Sequence, residues 1–324
     1  MTKAKDEAGI VPPTPAERAR DLAPLPDHPS GATPILRFAP SPNGALHPGH
    51  AYSALLNRHL ADAHGGRMLV RVEDLDAARC APALERAMLD DLAWLGVASD
   101  GPVLRQGERS ATYRAALDDL ATRRLVYPAF LSRGEVKRRV AEAEVKGRAW
   151  PRDPDGAPHY PGDDRTLDPG EARARILAGA PHGWRLDTAA ALAEIGDATS
   201  TSFGDASCPE AGDASWSEGS PRAWGDPLLW RADGTAAYHL AATLDDAAQG
   251  ITHVVRGADL TEATAVHRLL QRLLGLPAPL YRHHALVRGP DGAKLAKSRG
   301  DRGIAAWREA GGTPDELAAW LGLA

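Results

Sequence analysis

Apolar positions along this 324-residue chain follow two alternating periods. PILRFA (Pro34–Ala39) is a short apolar run of the buried-strand kind. From Ala51, apolar residues fall at Tyr52, Leu55, Leu56, Leu60 and Ala63, a helical spacing that stops at His64-Gly65-Gly66. RMLVRVEDLD (Arg67–Asp76) is a second strand whose end breaks into acids. Leu84, Met88, Leu92 and Leu95 form a helical pattern stopped by Gly96, and Tyr113, Leu117 and Leu120 form another. Strand, helix, strand, helix at these lengths predicts an α/β fold with a doubly wound parallel sheet.

That pattern assigns residues 34–126 to the first half of the sheet domain. Residues 127–187 mix helix and loop and are expected to be an inserted subdomain. Residues 188–226 are expected to be a low-complexity insert. Its core, Gly196–Asp226, is rich in Gly, Ser, Ala and Asp without a period and is expected to be surface loop or disordered. The second half of the domain, 227–300, has a hairpin expected at Asp233–Gly234, a strand in ITHVVRG and a helix in LTEATAVHRLLQRLLG. A strand from Tyr281 then runs into a glycine-rich loop. Residues 301–324 should be helical. Residues 1–33 are expected to be a disordered extension.

Hydrophobic content of 43% and charged content of 25% suit a soluble globular protein, and no apolar run approaches a membrane span. Neither a secretory signal nor a transit peptide is visible at the N-terminus. Two distant cysteines, Cys80 and Cys208, exclude a disulfide framework and suit a reducing cytoplasm. A net charge of −5 gives no global sign of nucleic-acid binding, so any such surface must be local. Basic residues are mostly arginine, which makes the paired lysines of KLAKS conspicuous.

HPGH, at His47–His50, follows the first strand and opens a helix. By itself it fits a Pro-Gly turn. It also fits an anion site, because a helix N-terminus presents unpaired N–H groups and partial positive charge. Gly49 would admit a polyanion close to the backbone. His47 and His50 could donate to phosphate oxygens as charge shifts in a displacement. GAKLAKS adds Lys294 and Lys297 on a glycine-flanked loop able to close over a triphosphate. A solvated basic loop is the plain alternative. The order decides: histidine motif after the first strand, lysine loop more than 200 residues later.

That combination resembles the class I aminoacyl-tRNA synthetases. RFAPSPNGALHPGH, YHLAATLDDAAQGITHVVRGADL and GAKLAKS resemble the glutamate-specific branch. Within it, the chain resembles the short family of glutamyl-queuosine tRNA(Asp) synthetases over residues 34 to the C-terminus, the glycine- and serine-rich insert excepted. The resemblance implies a Rossmann-like catalytic domain, an acceptor-side insertion and a short helical C-terminal part. It implies a ligase that activates L-glutamate with ATP and Mg²⁺, without needing tRNA, and passes it to queuosine at the wobble position of tRNA(Asp). Arg37, Phe38, Ala39, Pro40 and Ser41 match its first glutamate-contacting stretch, and Arg37 can grip a carboxylate bidentately. Glu73 matches the acid that pairs with the substrate ammonium. Tyr238 and Arg256 match two further glutamate contacts, read as later strand positions. His47, Gly49, His50 and Lys297 match ATP contacts.

One departure concerns zinc. The family usually carries Cys-x-Cys, then Tyr and Cys, in the insertion. Here Ala129 and Leu131 replace the paired cysteines, Tyr160 is kept and Asp164 stands last. One tyrosine and one carboxylate cannot make a tetrahedral site, so zinc is expected to be lost. Arg133, Arg138 and Arg139 of the insertion are candidates for RNA phosphate contact. The chain ends soon after the lysine loop, so no C-terminal anticodon-binding domain is expected, and a cytoplasmic monomer is expected. Alternatives are a truncated synthetase charging tRNA(Glu), an enzyme that adenylates a small molecule, and a catalytically dead tRNA-binding protein.

Overall fold

The computed structural model describes residues 9–196, 201–205, 215–295 and 303–323. Strand β1 (Ile35–Phe38) pairs in parallel with β2 (Arg67–Val72), which pairs with β3 (Leu104–Arg105). Both β1 and β2 are buried nearly throughout, as central parallel strands covered on two faces must be. Helix α1 (Pro15–Asp21) precedes them, and α2 (Pro48–Ala63) connects β1 to β2. Pro48 occupies the first turn of α2, where a missing N–H costs nothing. Ala51, Tyr52, Leu56 and Leu60 bury one face of the helix. Helices α3 (Pro82–Trp94) and α4 (Ser110–Thr122) complete the expected pattern.

The insertion carries β4 (Val126–Ala129), α5 (Arg133–Val145), α6 (Pro169–Leu177) and β5 (Gly183–Leu186), followed by α7 (Thr188–Glu194). Its sheet is antiparallel, β4–β5–β8, with β8 at Leu228–Trp230. The expected turn at Asp233–Gly234 forms, since Arg231 N–H donates to Thr235 O at 2.8 Å. Its second arm is a single bridge, and helix α8 (Tyr238–Ala248) starts at once.

The remaining strands are β6 (Thr201–Asp205), β7 (Ser215–Gly219), β9 (His253–Gly257) and β10 (Leu280–His284), in the order β7–β6–β10–β9. Helix α9 (Ala263–Leu273) lies between β9 and β10. The expectation of a loop at 196–226 is therefore corrected at 201–205 and 215–219: β6 and β7 form an antiparallel pair, and β6 joins β10 in parallel. A two-stranded ribbon at a sheet edge needs no apolar periodicity, so its Gly/Ser composition read as loop.

Thr252 joins the two sheets. Its N–H donates to Ile35 O at 3.0 Å, and its hydroxyl accepts from Ile35 N–H at 2.8 Å. The resulting order is β3–β2–β1–β9–β10–β6–β7, and the chain winds outward from the β1/β9 junction. In such sheets ligands bind beyond the strand ends at this reversal.

The disordered lead-in is corrected for residues 9–33. Thr14 and Glu17 cap α1 reciprocally, and buried Asp21 accepts from Tyr52 Oη at 2.8 Å and Ala285 N at 3.0 Å. Buried Arg282 donates to the carbonyls of Asp21 and Pro24 at 3.1 and 2.7 Å. Helices α10 (Ile304–Glu309) and α11 (Pro314–Leu321) close the chain, with Ile304, Leu317 and Leu321 in the core around α2.

Candidate active site

The loop after β1 ends on His47, the N-cap of α2, whose backbone N–H donates to His50 Nδ1 at 3.1 Å. The two imidazoles lie 3.7 Å apart between ring centroids. A β-carbon on Gly49 would stand 3.0 Å from the His47 ring, so glycine lets the ring fold over the helix mouth. From the far end of the chain, Ile304 N–H donates to Leu46 O at 2.7 Å. The C-terminal helices therefore begin against this loop.

A buried network joins β1 and β2 to helix α8. Arg37 Nε stands 3.2 Å from Asp246 Oδ1, and Arg71 Nη1 stands 2.6 Å from the same oxygen. Arg71 also pairs with Glu73 at 3.2 Å and donates to Gln249 at 3.1 Å. Two cations and two anions thus neutralise each other out of water. Burial pushes the Asp246 carboxyl up, but Arg37 and Arg71 overcome this and hold it below its ordinary value. Burial dominates at Glu73 and raises its carboxyl, despite Arg71 and Arg37. Of the rest of the 37–41 stretch, Phe38 is buried, and Pro40 O accepts from Glu73 N–H at 3.0 Å. That bond ties Ala39–Ser41 to the strand end bearing Glu73. Asp74 accepts from Gly107 N–H at 2.7 Å.

Arg71 and Asp246 had no assigned role. Their signals were a charged residue inside MLVRV and an Asp-Asp pair inside an apolar helix. The neighbour Asp245 is also spoken for, accepting from Gln106, Arg109 and Tyr113 at 2.9, 2.7 and 2.8 Å.

Arg256 stands across the junction, at the end of β9, fully buried. It donates to Leu260 O at 3.0 Å, Thr264 Oγ1 at 2.7 Å, His267 Nδ1 at 3.2 Å and Tyr238 Oη at 3.4 Å. Among the described residues no carboxylate pairs with it. Tyr238 opens α8 and is not a strand residue, which corrects the expectation. His267 and His239 stand 3.2 Å apart, and burial beside Arg256 lowers both, His239 to about 4. Both are neutral at pH 7, as acceptors for a buried guanidinium must be.

Lys294 lies at the exposed foot of a hairpin and pairs with Asp259. Lys297 lies outside the described residues.

Residues 35–323 match the model of the class I tRNA synthetase (E and Q) catalytic domain. The chain belongs to this family. A glutamyl-Q tRNA(Asp) synthetase of Rhodobacter capsulatus is 45% identical, over 89% of this chain and all of the relative. One from Leptothrix cholodnii is 41% identical, over 82% of each. A crystal structure of an Elizabethkingia meningosepticum glutamate tRNA ligase with its amino acid superposes with a TM-score of 0.67 at 27% identity. It covers 83% of this chain, which spans about half (53%) of that ligase.

In this member of the class I synthetases, the four positions that the resemblance matches to a zinc site lie together. Tyr160 Oη donates to Asp164 and accepts from Leu131 N–H at 3.0 Å, while Asp164 accepts from Phe130 N–H at 2.8 Å. Ala129 packs on Tyr160 and Tyr127. Hydrogen bonds therefore occupy the donors, and among the described residues no group of three His, Cys, Asp or Glu could hold a metal. A chelator should leave the unfolding midpoint unchanged, and purified protein should carry no stoichiometric zinc. One zinc per chain would overturn this account of the insertion.

Proposed function

We propose that this chain activates L-glutamate with ATP and transfers it to queuosine in tRNA(Asp), as the names of its relatives suggest. The observation that carries the reading is Arg256, a buried guanidinium with no described carboxylate partner, at the end of β9 beside the sheet reversal. A buried cation without an anion is costly unless a ligand supplies one. Glutamate supplies two carboxylates and an ammonium, for which Arg256, Arg37 and Glu73 are suited. Binding the ammonium would favour ionised Glu73 against its burial.

Activation is attack of the glutamate α-carboxylate oxygen on the α-phosphorus, with pyrophosphate leaving. The protein's task is orientation and charge stabilisation. His47, Gly49 and His50 would hold phosphates at the helix mouth, and Lys294 and Lys297 would neutralise the leaving pyrophosphate. ATP would come as its Mg²⁺ complex. No helix among the described residues is long and apolar enough to cross a membrane. The reading places a monomer in the cytoplasm, beside its tRNA.

The test follows labelled glutamate. Glutamate-dependent pyrophosphate exchange should proceed without RNA, and label should pass to tRNA(Asp) only when it carries queuosine. Transfer should survive on the isolated anticodon stem-loop and fall steeply with salt. Label on the 3′ end of tRNA(Glu) would instead establish a truncated synthetase, and activation without RNA transfer a small-molecule adenylating enzyme.

A further inference from the structure

The insertion borders a cavity of about 450 Å³, lined by Arg148, Trp150, His159, Tyr160, Arg165 and Asp226 among others. It lies beyond Asp164 and Tyr160 and shares no lining residue with the glutamate site. Three aromatic rings face it, and each is already fixed by a hydrogen bond. Trp150 Nε1 donates to His159 O at 3.0 Å. His159 Nε2 bonds Ala223 O at 3.0 Å, and Tyr160 is held by Leu131 and Asp164. The guanidinium of Arg185 lies over the Tyr160 ring, 4.4 Å from its centroid. Gly225 is required here: its φ is +59°, and a β-carbon would stand 2.8 Å from the His159 ring.

Charge is placed at the rim. Asp226 is consumed by Tyr127, Thr188 and Arg165, at 2.9, 3.1 and 3.2 Å. Arg148 is exposed and has no carboxylate partner among the described residues. By contrast, two of the three arginines suggested by sequence are already neutralised, Arg138 by Glu142 at 2.7 Å and Arg139 by Asp163. Rigid rings at the back and an unpaired guanidinium at the mouth match a flat base whose phosphate stays outside.

Position links the cavity to the chemistry. Trp224, next to the Ala223 that holds His159, donates to Glu262 O at 3.0 Å, and its ring lies 5.1 Å from that of His239, which bonds His267, itself bonded to Arg256.

We propose that this cavity receives an unstacked base of the acceptor RNA, next to the nucleotide being loaded, and so holds the acceptor in register. The inference rests on the function proposed above. Its test measures binding of the queuosine-bearing tRNA(Asp) anticodon stem-loop by fluorescence anisotropy, with glutamate-dependent pyrophosphate exchange run in parallel. Trp150→Ala should weaken binding roughly ten- to hundredfold, the range that stacking one base supplies, and leave exchange at the parental rate. Trp150→Phe, which keeps a flat ring, should recover most of the affinity. Arg148→Glu, at an exposed site that cannot disturb folding, should weaken binding and flatten its salt dependence. Parental RNA affinity in both Trp150→Ala and Arg148→Glu would overturn the proposal. Absence of exchange in the parent would instead remove the function reading, while the affinities would still decide the cavity.

Discussion

Asp246→Ala should destabilise the protein by about 3–5 kcal/mol in urea unfolding, the usual cost of removing one partner from a buried ion pair. The size follows from geometry. One Asp246 oxygen serves both Arg37 and Arg71, and all three side chains are almost fully buried. Removing it leaves two guanidiniums in a low-dielectric site where, among the described residues, Glu73 is the one acid still paired with either. Asp246→Asn keeps the shape and one acceptor, and should cost less. The pH dependence has a definite sign. Asp246 has a folded-state value below its ordinary one, so the native state binds that proton less tightly than the unfolded chain. Its stabilisation is complete above the ordinary aspartate value of about 4 and is lost as pH falls through the lower folded value. That acid-side loss should be smaller in Asp246→Ala. Equal acid sensitivity in parent and variant would show that Asp246 is not held low.

Where burial and local chemistry agree, the sequence was readable. PILRFA and RMLVRV are apolar because they cross the sheet centre, and α2 repeats its apolar residues because one face packs on them. That Ala129, Leu131, Tyr160 and Asp164 do not carry the cysteines of the zinc pattern was readable by residue type, although the bond between Tyr160 and Asp164 was not. Order imposed from far away was not readable. Residues 9–33 are polar and proline-rich, and they order because Arg282, more than 250 residues later, takes their carbonyls. β6 and β7 form a ribbon at the sheet edge, which selects no strong pattern. Arg71 and Asp246 are 175 positions apart, so nothing local announced their pairing. His239 and His267, 28 positions apart and on different helices, form a pair only through the fold.

Arg256→Leu should raise the glutamate KM and lower kcat/KM for glutamate by roughly 30-fold to several thousandfold, the equivalent of about 2–5 kcal/mol for one side of a buried charged pair. The ATP KM should stay near its parental value, because this guanidinium lies across the junction from the helix mouth proposed to hold phosphate. Arg256→Lys should restore little, since an ammonium cannot keep the Leu260 and Thr264 bonds while reaching a carboxylate. His267 separates binding from structure. Its Nδ1 accepts from Arg256, so its Nε2 must carry the proton and donate to His239 Nδ1. This chain aims one edge of the guanidinium without cancelling its charge, as a carboxylate in the same place would. His267→Leu removes the acceptor and should raise the glutamate KM with a smaller change in kcat, whereas His267→Gln, which offers an amide oxygen, should restore it. Pyrophosphate exchange across both substrates measures each effect. Equal losses for glutamate and ATP in Arg256→Leu would mean that Arg256 holds the fold together, and the carboxylate would have to be gripped elsewhere.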